Sequence, residues 1–101
     1  MKLLIITSIS EFEKEIKQML VKANVKNFAY KEVIGYDNTS DEAIGDNWFA
    51  TEMNENESML FYAFVPSENV EMVFNAINEF NGKQETLSKI HVATVNIENS
   101  N

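Results

Sequence analysis

The 101-residue chain has no cysteine, no arginine, three glycines and one proline. Without cysteine there is no disulfide, no thiolate metal site and no thiol nucleophile. Nothing marks export: the N-terminus carries one Lys and a short apolar run, with no small-residue cleavage site after it. A cytoplasmic home is therefore expected. Long apolar runs are also missing. The longest is MLFYAFV, residues 59–65, far below the roughly 20 residues a membrane helix needs. The absence of arginine leaves eight lysines as the only cations, against 16 acids. A nucleic-acid partner needs a basic stripe to neutralise phosphates, so DNA and RNA are excluded. An anionic membrane surface is disfavoured for the same reason.

The acidity has a location. Residues 35–58, GYDNTSDEAIGDNWFATEMNENES, hold seven acids and no Lys, while the rest of the chain holds nine acids and eight Lys. The net charge of -8 thus belongs almost entirely to one segment, which also contains the only Trp, Trp48, beside Phe49.

Around that segment the pattern is regular. MKLLIITS reads as a buried strand. Ser10 followed by Glu13 has the form of a capping box. Phe12, Ile16, Met19, Leu20 and Ala23 then form one helical stripe. Residues 28–36 suit a second strand and residues 58–65 a third, which Pro66 ends. Ser67 is placed to cap a second helix, whose stripe is Val70, Val73, Phe74, Ile77 and Phe80 and whose stop is Asn81-Gly82. KIHVATVNI, residues 89–97, is a fourth strand, and ENSN a frayed tail.

Strand, helix, strand, strand, helix, strand is the split βαβ order of a ferredoxin-like α+β domain: a four-stranded antiparallel sheet with two helices on one face. At this length the chain is expected to be a single domain, 1–101, with a long acidic loop at 37–57. Strand three is apolar on both sides. Met59, Phe61, Ala63 and Val65 point one way, and Leu60, Tyr62 and Phe64 the other. One set packs on the helices. The other implies a homo-oligomer with its sheets packed together, or else a long loop folded back over that face.

Several stretches in this order resemble the PII signal-transduction superfamily. They are Ala23, Asn24 and Val25 ahead of KEVIGY (31–36), then FVPSENVEMVFNAI (64–77), then SKIHV (88–92), with the acidic segment in the place of the family's T-loop. The resemblance covers most of the chain and implies a homotrimer that binds a small-molecule ligand in clefts between subunits. In the family that ligand is ATP or ADP, with 2-oxoglutarate held through Mg²⁺. It also implies control of a protein target, such as a membrane transporter, through the loop. Carried onto this chain, the ligand-binding positions are Gly35, Tyr36, Gly82 and Lys89, and the partner-docking loop contains Asp41, Glu42, Trp48 and Phe49. The chain departs from the family near the last strand. GKQETLSK replaces a glycine-rich loop, Glu85 sits where a phosphate would be repelled, and the usual arginines are absent. An adenine nucleotide is thus disfavoured, no cofactor is named, and another ligand fits the residues better.

Other chemistries find less support. DNTSDEAIGDNW (37–48) is not an EF-hand, which wants Gly and Glu where Glu42 and Trp48 stand. An irregular divalent-cation site from Asp37, Asp41, Glu42 and Asp46 stays open beside a solvated acidic loop. A trimeric cation-binding or metal-tolerance protein and a ligand-free assembly module are therefore the competing readings. Trp48 and Phe49 either anchor the loop or meet a partner. His91, the only His, reads as a packed strand residue rather than a ligand. No catalytic triad, nucleophile elbow or Walker loop is present. Acylphosphatase chemistry on this topology needs an Arg, so a non-enzyme is expected.

Overall fold

The computed structural model describes residues 1–36, 55–86 and 88–101. Its elements are β1 (Lys2–Ile9), a 3₁₀ turn (Ser10–Phe12), α1 (Glu13–Lys22), β2 (Ala29–Tyr36), β3 (Glu55–Val65), α2 (Ser67–Lys83) and β4 (His91–Asn96). Among the described residues the strands form one antiparallel sheet in the order β2-β3-β1-β4. This is the expected ferredoxin-like arrangement. Strand three starts at Glu55, three residues earlier than the expected 58.

Alternation along the strands divides the sheet into two faces. On the first, Leu4 and Ile6 of β1 and Met59, Phe61, Ala63 and Val65 of β3 are buried against Phe12, Ile16, Leu20, Val73 and Ile77. Both helical stripes therefore do what their spacing predicts. Met19, Val70, Phe74 and Phe80 pack at the margin of this core. Phe61 is fully buried and central. Tyr30 stacks on it with centroids 5.2 Å apart, and Phe28 lies tilted at 6.1 Å. Burying such a side chain is worth roughly 1.5–3 kcal/mol.

Among the described residues no helix lies on the second face, and its residues line up in rows across the strands. Phe64, Leu3 and Val95 form the first row. Ala29, Tyr62, Ile5 and Ala93 form the next, then Lys31, Leu60, Thr7 and His91. Tyr62, Phe64 and Val95 are about half exposed, at 47, 58 and 49%. The face thus grades from apolar at one end to polar at the other.

Three local expectations are corrected. The capping box does not form. The chain makes a 3₁₀ turn at Ser10–Phe12 with no side-chain cap, because Glu13 bonds to Lys17 at 2.8 Å, four residues on, instead of reaching back. Ser67 does not cap α2 but is its first residue. Pro66 holds the cap position in extended backbone, and its carbonyl accepts the Asn69 N–H at 3.0 Å. Nor does Asn81-Gly82 stop the helix, which runs on to Lys83 with no glycine at positive φ. The left-handed turn falls instead at Asn24, after α1, with φ 64°. There Asn24 N–H bonds to Val21 O at 3.1 Å and Val25 N–H to Leu20 O at 3.0 Å. This double closure is the Schellman motif, and Asn is the non-glycine residue that tolerates it best.

Candidate functional site

The four expected ligand residues fall into two groups. Gly35 is buried and Tyr36 exposed at the end of edge strand β2. Gly82 is exposed in the last turn of α2, and Lys89 is exposed just before β4. Registers place both groups at the same end of the sheet, since Tyr36 pairs with Glu55 while His91 pairs with Thr7. They lie at opposite edges, however, with β3 and β1 between them. Three inter-strand spacings separate the edges by about 14 Å. Within one chain Gly82 and Lys89 flank a bonded pair, Asn81 and Ile90, while Gly35 and Tyr36 lie at the other edge. Asp41, Glu42, Trp48 and Phe49 lie outside the described residues, as do Asp37 and Asp46. Among the described residues no group of three or more His, Asp or Glu could hold a metal ion.

Gly82 and Lys89 are joined through their neighbours. Asn81 Nδ2 donates to the Ile90 carbonyl, and the Ile90 N–H donates to Asn81 Oδ1, both at 2.8 Å. The Asn81 carbonyl accepts the Gln84 N–H at 3.3 Å. Nothing lies within 4 Å of where a Cβ on Gly82 would stand, so this glycine is not demanded by packing. Beside it, Lys83 bonds Glu79 at 2.9 Å and holds that carboxyl below its usual range.

Sequence reasoning overlooked a groove at the opposite end of the sheet. It has a volume of about 360 Å³ and is lined by Asn24, Val25, Asn27, Phe64, Pro66 and Asn69, among others. Asn69 Nδ2 donates to Asn24 O at 3.3 Å across its floor. An adjoining hollow of similar volume, about 360 Å³, is lined by Phe28, Ala29 and Tyr62, among others. The signal was the recurrence of Asn at 24, 27 and 69, which is easily discounted in a chain rich in Asn. His91 is half-buried on the second face, opposite Thr7, in keeping with a packed strand residue. No helix among the described residues is long and apolar enough to cross a membrane.

The β2-β3-β1-β4 sheet with its two helices on one face is similar in fold to solved PII-like proteins. It matches CPII, a nitrogen regulatory PII-like protein from Thiomonas intermedia K12 bound to ADP, AMP and bicarbonate. The TM-score is 0.63 at 15% identity, over 98% of this chain and 93% of that one. A DUF3240 family protein from Shewanella baltica OS155 matches with TM-score 0.68 at 11% identity, over 99% and 92%. GlnK of B. subtilis, in its ATP complex, matches with TM-score 0.64 at 19% identity, over 93% and 80%. At these identities the likeness is one of fold. No family model matches the chain, and no curated protein matches it in sequence.

Proposed function

We propose that this chain is a PII-like regulator: a cytoplasmic, non-enzymatic homotrimer that takes a small ligand at the clefts between subunits. The ligand reorders the acidic segment after Tyr36, which then docks on or releases a protein target, such as a membrane transporter. The reading is supported by the place of the expected ligand residues near opposite edges of one sheet, whose second face has no helix among the described residues and exposes Tyr62, Phe64 and Val95. A cleft using both edges needs a neighbouring copy, and packing of the exposed apolar residues of the second sheet face against one would supply it. CPII carries ADP, AMP and bicarbonate and GlnK carries ATP, so a small anion is the natural ligand class. Lys89 is the cation expected to meet it. The lack of arginine favours a ligand of lower charge than a triphosphate. The acidic segment selects a basic patch on its target.

The test is a titration followed by Trp48 fluorescence, with ADP, AMP, bicarbonate and a divalent cation added separately. A saturable response to one of the anions supports the sensor. A response to the cation alone would replace it with the metal-binding reading. Silence to all four would leave an assembly module.

A further inference from the structure

The two helices bury one column of side chains each and leave a space between the next. Ile16 and Leu20 of α1 and Val73 and Ile77 of α2 are fully buried in the core. The adjoining columns, repeating at one-turn spacing, border a groove of about 330 Å³ between α1 and α2. Met19, Ala76 and Phe80 give it an apolar lining, and all three are half-buried. The volume lies in the range of small-molecule pockets. Ala76 keeps it open, because a longer side chain there would project into it.

The charged groups around this lining are not equally satisfied. Glu79 bonds Lys83 at 2.9 Å. That bond, with Lys22 adding its charge, holds the Glu79 carboxyl below its usual range. Glu15 lines the same groove without such a partner. Its Oε2 is shut off from water and has no hydrogen bond among the described residues. A carboxylate oxygen withdrawn from water without a donor destabilises the state that holds it. The terminal carboxyl torsion is broad, so a modest turn of the group presents this oxygen to a donor in the groove.

We propose that the inter-helix groove is a ligand site for a small primary amine. The ammonium bonds to Glu15, and the carbon chain lies on Met19, Ala76 and Phe80. An ammonium brings three donors and the opposite charge. An anion would meet the unpaired carboxylate, and an uncharged apolar molecule would leave that carboxylate without a donor. A diamine fits less well, since Lys83 already holds the second carboxylate and Lys22 repels a second positive charge. A metal ion lacks ligands, because no group of three or more His, Asp or Glu is placed to hold one among the described residues. The site uses none of the residues of the subunit cleft and stands or falls apart from it.

The experiment titrates the protein with pentylamine and, separately, with 1-pentanol as its uncharged counterpart, followed by amide NMR shifts and calorimetry. Pentylamine should saturate with a Kd on the order of millimolar and shift amides in residues 15–22 and 76–83. The alcohol should bind about tenfold more weakly. Glu15→Gln keeps the shape, removes the charge and should weaken pentylamine about tenfold. Ala76→Leu fills the groove with the carboxylate in place and should abolish binding. Far-ultraviolet circular dichroism checks that both variants fold, and Glu15→Gln decides alone if Ala76→Leu does not. Equal binding of amine and alcohol would overturn the proposal, as would unchanged affinity in Glu15→Gln. The chain carries a net charge of -8, so a cation can also gather on its acidic segment. Shifts confined to residues 37–57 would place the amine there and remove the groove from the account. The absence of any saturable shift would show that the groove holds only water.

Discussion

Lys17 and Tyr30 lie 13 residues apart and meet twice. The ammonium group sits 4.1 Å from the Tyr30 ring centroid and donates to the phenol oxygen at 2.8 Å. The same nitrogen bonds Glu13 at 2.8 Å. Because Tyr30 stacks on Phe61, this surface contact links α1 to edge strand β2 and, one layer down, to the centre of the core. The link helps hold the edge strand whose last residues begin the acidic segment.

The Lys17 pKa is raised above its ordinary 10.5, first by the Glu13 hydrogen bond and then by the Tyr30 hydrogen bond. A raised cation pKa gives a contribution that is complete below the unfolded value and lost as pH climbs through the folded one. Lys17→Met should therefore unfold earlier than the parent by a constant margin below the ordinary lysine range, with the margin closing as the pH climbs beyond it. Chemical denaturation at several pH values checks this. A margin independent of pH throughout would mean that the pair contributes by packing alone.

Asn24 is the left-handed closure of α1. Asn24→Gly should be neutral or stabilising by up to about 1 kcal/mol, while Asn24→Val should destabilise by about 1–2 kcal/mol because a β-branched residue resists positive φ. Thermal unfolding of the two variants gives the order directly. Equal midpoints would contradict the Schellman assignment.

Gly82 is helical and unencumbered, so Gly82→Ala should raise stability by about 0.5–1 kcal/mol. If the cleft needs close approach of a ligand to this backbone, the same variant should bind ADP more weakly while melting higher. A variant that melts lower would show that the helix end is strained in a way its geometry does not display.

The exposed Tyr62, Phe64 and Val95 of the second sheet face predict an assembly. Phe64→Asp places a charge in the row shared with Leu3 and Val95 and should convert a trimer to a monomer without changing the far-ultraviolet circular dichroism. Light scattering reads the mass. A parent protein that is already monomeric would remove the oligomer from the account.

Much of this fold is legible in the residues, for identifiable reasons. The stripes Phe12–Ile16–Leu20 and Val73–Ile77 declare helices because one period satisfies them. The alternation in β3 correctly separates Phe61 from Tyr62. Caps were less legible. Whether Glu13 reaches back to the helix start or forward to Lys17 is a competition between two local bonds of similar strength, and spacing alone does not decide it. The candidate site was legible only as a set of positions. Asn81, the best-anchored of its residues, reads in the sequence as a helix stop, because its partner Ile90 is nine residues away and is met only after the chain has turned.

The sequence by itself determined what depends on periodicity and composition: the order of elements, the two faces of each strand, the confinement of negative charge to one segment, and the lack of any basic nucleic-acid surface. Tertiary structure alone decided where those pieces meet. It set β2 and β4 at opposite edges, packed both described helices on one sheet face, put Lys17 over Tyr30, and closed Asn81 on Ile90. These are contacts between residues brought together by strand pairing and turns. Their energies come from burial and from hydrogen-bond geometry across the fold, which local spacing in a chain does not encode.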